Sequence, residues 1–236
     1  MGHDDRADLA GTKRAISAGS QWAAMLRFSA LTPDRVAMNL RVFRCCIPAL
    51  LLLPALALAD SNQAERPQLV FWQALQSLCG EAFEGQLVSY DEELDAGWLP
   101  ERMVIHVRRC SATQIDIPLF VGDNRSRTWV LTLEPELIRL KHDHRHEDGS
   151  EEAVTWYGGH TTDPGRAWRQ TFPVDDYSKA LFLTHELEGS ITNFWYMEVV
   201  PGSHFAYGLT RAGRHLRAEF DLKQAVEPPP APWGHE

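Results

Sequence analysis

The hydrophobic pattern changes character twice along the chain. From Met38 a short basic stretch holding Arg41 and Arg44 runs into an almost wholly apolar segment, Cys45 to Ala59, that closes on Ala57-Leu58-Ala59. Basic, apolar and small-residue regions in that order are the arrangement of a secretory leader and its cleavage site. The apolar run contains Pro54 and falls short of the roughly 20 residues a bilayer-spanning helix needs. Residues 38–59 are therefore read as a signal peptide, with the mature chain starting near Asp60. Residues 1–37, upstream of a signal that works at an N-terminus, are read as a mis-called or disordered extension.

Beyond the leader the pattern is first helical. Phe71, Leu75, Leu78 and Ala82 recur at helical spacing behind Pro67, which suits a first helical position, and the pattern predicts one helix over 67–82. After Gly85 the period drops to two. Alternating runs follow at Gln86–Tyr90, Met103–Arg108, Gln114–Val121, around Trp129–Leu133, Ile138–His146, Ala153–Tyr157, Trp168–Phe172, Thr192–Val200, His204–Arg211 and Arg214–Leu222. Turn residues separate them, and Pro118 marks its run as an edge or a bulge. Val174–Leu187 reads as a short helix or a loop, and "WYGG" and "DPGR" as turns. Strands at this spacing predict a mainly β fold over residues 60–224: an antiparallel curved sheet or small barrel, loosely lipocalin-like, with one N-terminal α-helix. The proline-rich tail, residues 225–236, is expected to be disordered or extended.

One stretch carries candidate chemistry: "LIRLKHDHRHEDGSEEAVTWYGG", residues 137–159. Alternate residues of a strand share a face, so His142, His144 and His146 continue the face of Ile138 and Leu140. Arg139, Lys141, Asp143 and Arg145 take the other. A two-residue turn at Asp148-Gly149 sets His142 opposite Thr155 and His144 opposite Ala153, with Tyr157 on the same face. His142, His144, Thr155 and Tyr157 are thus the candidate ligand-binding residues. Three readings compete. The stretch is a structural hairpin with an Arg145–Glu152 pair outside; or it lines a small-molecule pocket at a barrel mouth; or His142 and His144 hold zinc. Zinc needs a third ligand, from His106, His160, His185 or Glu151. The H-E-x-x-H pattern is absent, since "LTHELEGS" has Gly189 where the second histidine belongs, and no serine sits in a G-x-S-x-G context.

Charge and cysteines narrow the setting. After the leader 28 acidic and 16 basic side chains remain, a net charge of −12. That balance disfavours nucleic acid and anionic membrane surfaces as partners. Cys79 and Cys110 are the only cysteines left, and in an oxidising compartment they are expected to bond. Seven tryptophans and five tyrosines follow the leader, many on the predicted strands, as core packing or as the walls of an aromatic pocket. In "NFWYMEV" Phe194, Tyr196 and Glu198 share one face and Trp195, Met197 and Val199 the other.

The segments "RSRTWVL", "LKHDHRHEDGSEEAVTWYGG" and "GRHLRAEFDL" resemble a group of small secreted proteins of Gram-negative bacteria, over Cys79 to Leu222. That group carries no established activity, so the resemblance implies periplasmic or extracellular placement and no residue role. The sequence leads to an exported, non-enzymatic binding module for a small molecule or an envelope partner, with no stable membrane span once the leader is removed. A metal-assisted enzyme using the histidine hairpin is the second reading.

Overall fold

The structure, a computed structural model, describes residues 66–99 and 101–236. The expected leader and the segment before it lie outside the described residues. Helix α1 spans Pro67–Gln76, with Pro67 in its first turn. It ends earlier than the spacing predicts. Gly80 adopts a left-handed conformation (φ +90°) and donates its N–H to the Val107 carbonyl, and by Ala82 the chain is already in a strand. Cys79, in that turn, is bonded to Cys110 with the Cα atoms 6.2 Å apart, as expected.

Eleven strands follow: β1 Ala82–Ser89, β2 Met103–His106, β3 Arg109–Cys110, β4 Gln114–Val121, β5 Asn124–Leu133, β6 Ile138–His144, β7 Tyr157–His160, β8 Arg169–Pro173, β9 Phe194–Val200, β10 His204–Arg211 and β11 Arg214–Val226. Helix α2, Asp176–Thr184, lies between β8 and β9, capped by Asp175, whose carboxylate accepts from the Ser178 N–H. All the strand pairs are antiparallel, in the order β7-β6-β5-β4-β2-β1-β11-β10-β9-β8, with β3 on β4. Pro118 is not on an edge; of the two expected placements, the structure shows the irregular one, with the register on that side shifting by one residue between Ile105–Leu119 and Arg109–Asp116. It sits in β4 where the neighbouring ladder passes from β2 to β3, a break that needs no N–H from it.

The two outer strands curl towards each other, so the sheet is a nearly closed barrel, as the strand pattern predicts. The seam lies at the "WYGG" run, whose Tyr157, Gly158 and Gly159 belong to strand β7 and do not form a turn. Gly159 bridges Val174, and the Asp175 N–H donates to the Gly158 carbonyl at 3.0 Å. A Cβ on Gly158 would stand 2.0 Å from the Leu140 carbonyl oxygen, and one on Gly159 1.8 Å from that of Pro173. Only glycine lets β7 approach β6 and β8 together.

Alternate residues of each strand fill the interior: Ile115, Ile117 and Leu119 from β4, Trp129 and Leu131 from β5, Phe205 and Tyr207 from β10. Each such aliphatic or aromatic side chain contributes about 1.5–3 kcal/mol by leaving water. Helix α1 covers one end, inserting Phe71, Trp72 and Leu75 into the same core. Its Gln68 amide reaches the Glu136 and Asp163 carbonyls and Thr161, beside the turn that begins β6. The other end of β6, where His142 and His144 lie, is uncovered by α1.

The tail after β11 is extended and anchored, not disordered. The Arg125 guanidinium donates to the Ala231 carbonyl and the Arg125 carbonyl accepts the Trp233 N–H; Arg108 donates to the His235 carbonyl at 2.8 Å.

Candidate functional site

Strand β6 places His142 on the inner face, next to Leu140, as the two-residue period requires. Its ring is 3 % exposed. Nδ1 lies 3.1 Å from the Tyr157 carbonyl oxygen, which can only accept, so Nδ1 carries the proton. Nε2, 2.8 Å from the Tyr207 hydroxyl, then accepts from it. The ring stacks on Tyr157 (centroids 4.6 Å, 13° between planes) and tilts against Trp195. Burial, reinforced by the neighbouring His144, pushes its pKa down to about 3, so the ring is neutral.

His144 follows on the same face. Its Nε2 is 3.0 Å from the Tyr157 hydroxyl, and burial, with the Arg127 charge adding to it, lowers its pKa to about 4. Tyr157 is itself pushed up to about 12 by burial, and Tyr207 well above the ordinary phenol value for the same reason. His142, His144, Tyr157 and Tyr207 thus form one uncharged, hydrogen-bonded cluster, with His142 and Tyr207 buried and His144 and Tyr157 partly so. The first three were expected to meet; Tyr207 was not.

The hairpin that brings them together differs from the expected one. After Arg145 the chain turns through 147–149 and touches back at Glu151, but it does not continue as a ladder. Residues 152–156 arch away, and pairing resumes with Tyr157 opposite His142. Trp156 makes the corner in a left-handed conformation, φ 58°, unusual for a bulky residue. Its N–H donates to the His142 carbonyl at 2.7 Å, which fixes the direction in which Tyr157 leaves. The run Ala153–Tyr157 is therefore not the return strand. The glycine pair after Tyr157, not the apolar alternation before it, decides where β6 finds its partner. Arg145 consequently pairs with Glu151 at 3.2 Å and not with Glu152, whose carboxylate stands 3.7 Å from His144.

Thr155 does not join the cluster. Its hydroxyl accepts the His144 N–H at 2.8 Å and stands 3.5 Å from the Asp143 carboxylate, on the opposite side of β6. There Asp143, expected on a charged outer face, is 1 % exposed. It is held by Arg145 Nε at 3.0 Å and by His235 Nε2 at 2.7 Å. The tail supplies that cover, so the pattern of β6 alone could not have revealed it.

In front of the four-residue cluster lies a cavity of about 350 Å³, within the range of small-molecule pockets, roughly 300–1,000 Å³. Trp129, Tyr157, Phe182, Trp195, Tyr207 and Leu216 provide much of its apolar wall. Trp129 and Tyr207 stack at 4.3 Å. Leu94 and Trp98 from the β1–β2 loop and Leu187 after α2 stand at the lining as well. Arg127, Arg211 and Arg214 complete it, with Asp95 paired to Arg214. Burial raises the Asp95 pKa, but the Arg214 hydrogen bonds, the Asp91 N–H and the Arg214 charge together outweigh it and hold the carboxyl below its usual range.

Sequence reasoning missed the three arginines, although a signal was present. Arg127 is two residues before Trp129, Arg211 two after Leu209 and Arg214 two before Leu216. Each continues an apolar register at a strand end, as the histidines do. On β9, Trp195 faces the cavity. Tyr196 faces outward, with the Arg169 guanidinium 4.0 Å from its ring centre. Both faces of "NFWYMEV" are therefore occupied.

As metal ligands the expected residues do not converge. Among the described residues no group of three His, Cys, Asp or Glu side chains is placed to hold a metal ion. His160 is exposed on β7 and His185 caps α2. Glu151 is engaged by Arg145 and by the Trp156 indole. No helix among the described residues is long and apolar enough to cross a membrane. No family model matches the chain, and neither a curated protein nor a solved structure does.

Proposed function

We propose that the protein is an exported, non-enzymatic binding module that takes a small molecule into the cavity in front of His142, His144, Tyr157 and Tyr207. The observation that carries this reading is the cavity itself: about 350 Å³ at the barrel end left open by α1, walled by stacked aromatic rings. A concave, mostly apolar site with a few convergent polar groups is the usual form of a ligand pocket. The titration of its walls favours binding over catalysis. A general acid or base works best with a pKa near the operating pH. Here the histidines are lowered to about 3 and about 4 and Tyr157 is raised to about 12. The Cys79–Cys110 bond accords with an extracytoplasmic setting, the one the leader and the resemblance imply.

The test is a thermal-shift screen of fractionated cell-envelope extract against wild type and Leu209→Trp, a variant that fills the cavity from β10. The reading expects at least one fraction to raise the wild-type Tm by several degrees and to leave the variant unmoved. A shift that survives Leu209→Trp at full size, or no shift from any fraction, refutes it.

A further inference from the structure

Three guanidinium groups and one carboxylate line the cavity. This imbalance occurs in a chain whose acidic residues, 32, outnumber its lysines and arginines, 23. Asp95 is already taken: Arg214 Nη1 donates to its Oδ2 at 2.7 Å, and Nη2 binds the other oxygen. The remaining two arginines touch only neutral acceptors. Arg211 Nη1 donates to Ser190 Oγ at 3.0 Å and to Asn193 Oδ1 at 3.1 Å. Arg127 Nη1 reaches Asn124 Oδ1 at 3.3 Å and Ser126 Oγ at 3.4 Å, and its guanidinium lies 5.3 Å from the centre of the Trp98 ring. Among the described residues neither is ion-paired. Glu152 stands 3.7 Å from His144 and is not part of the cavity wall.

The strand register makes this arrangement costly in the absence of an anion. Arg211 and Arg214 stand directly opposite one another where β10 turns into β11, and like charges opposed across a ladder repel. Asp95 neutralises one of them and leaves the other. Arg127 stands opposite His144, whose neutral ring brings no counter-charge. Behind these cations the cavity is aromatic and uncharged.

We propose that the cavity is built for an amphiphilic monoanion, a small carboxylate with an aromatic or aliphatic body, whose head group is held between Arg127 and Arg211. This rests on the reading of the cavity as a small-molecule site. The guanidinium fork matches a carboxylate geometrically and keeps its charge at any physiological pH. The body of the ligand lies against Trp129, Trp195 and Tyr207.

Isothermal titration calorimetry tests this with matched probes: 2-naphthoate against 2-naphthol, and decanoate against 1-decanol. In at least one pair the carboxylate is expected to bind at least tenfold more tightly than its alcohol. Raising salt from 0.05 to 0.5 M should shrink that preference, because screening weakens charge pairing. R127Q and R211Q should each lower carboxylate affinity several-fold without changing that of the alcohol, while R211K, which keeps the charge but not the planar fork, should fall between wild type and R211Q. Circular dichroism and the urea midpoint check that the variants fold; if one does not, the wild-type salt dependence decides. Alcohols binding as tightly as carboxylates would overturn the anion inference and leave the pocket reading standing. A preference that persists undiminished in the double glutamine variant would overturn it too. Failure of all four probes to bind would overturn both.

Discussion

Acidification from pH 7 to pH 5 should destabilise this protein through two particular rings. His142 and His144 are held at about 3 and about 4, against an ordinary value of 6.5, with burial the leading cause for each. Both folded values lie below the unfolded one, so between them the unfolded chain binds more protons than the folded chain. Stability therefore falls as pH drops from about 6.5 towards about 3, and is fully present above that window. At pH 5 an unfolded imidazole is about 1.5 pH units below its pKa, worth about 2 kcal/mol per ring at 1.36 kcal/mol per unit. The two rings together cost about 4 kcal/mol, a large part of the ~5–15 kcal/mol that holds a domain folded. Asp95, Asp175 and Glu198 are all held low by their partners, with burial opposing, and enter mainly below about pH 5. His106, also lowered by burial, adds to the slope with the same sign. The contribution of one ring is isolated by comparing wild type with His144→Gln. Urea denaturation followed by tryptophan fluorescence at pH 7, 6 and 5 should give a variant whose pH-dependent loss is smaller by about 2 kcal/mol. An identical loss in both proteins, or no loss in wild type, would refute the claim that these rings are buried and neutral.

Other perturbations probe the scaffold that holds the site. Replacing Cys79 and Cys110 by alanine opens a loop closed over a sequence separation of 31; chain entropy puts the cost at roughly 3.5 kcal/mol, read as a lower urea midpoint. Gly159→Val pushes a side chain into the Pro173 carbonyl. It should cost more than about 3 kcal/mol and raise hydrogen exchange along β7 and β8, because the seam cannot close around a Cβ. His235→Ala removes the tail's hydrogen bond to buried Asp143. The expected loss is about 1–3 kcal/mol, with faster proteolysis after Val226, since Asp143 keeps only its arginine and Thr155. A tail whose removal leaves the urea midpoint unchanged would mean that it does not cover Asp143 in solution.

Several elements could be read from residue pattern because neighbours along the chain decide them. Strands β4 and β10 coincide with their alternating runs, and the inward direction of His142 and His144 follows from Ile138 and Leu140 before them. What the pattern misplaced depends on contacts distant in sequence. Helix α1 stops at Gln76 because Cys79 and Gly80 are tied to Cys110 and Val107. Strand β7 begins at Tyr157, not Ala153, because only the glycines after it fit between two neighbouring strands. Asp143 is buried by a tail almost a hundred residues later, and Thr155 goes with it to the outer side of β6. Tyr207 reaches His142 across the barrel, a contact no local rule contains. The cavity arginines were legible in principle: a guanidinium that keeps step with Trp129, Leu209 or Leu216 at a strand end faces inward.

The His142 ring ties the aromatic wall to the cavity, and its protonation state is the most direct test of both. Long-range ¹H–¹⁵N spectra of the histidine side chains, recorded from pH 7 to pH 5 with and without 2-naphthoate, read that state. The expected result is a neutral ring protonated at Nδ1 throughout the range, with its Nε2 resonance moving when the carboxylate binds. A ring that titrates near 6.5 and ignores the probe would contradict both the burial and the pocket.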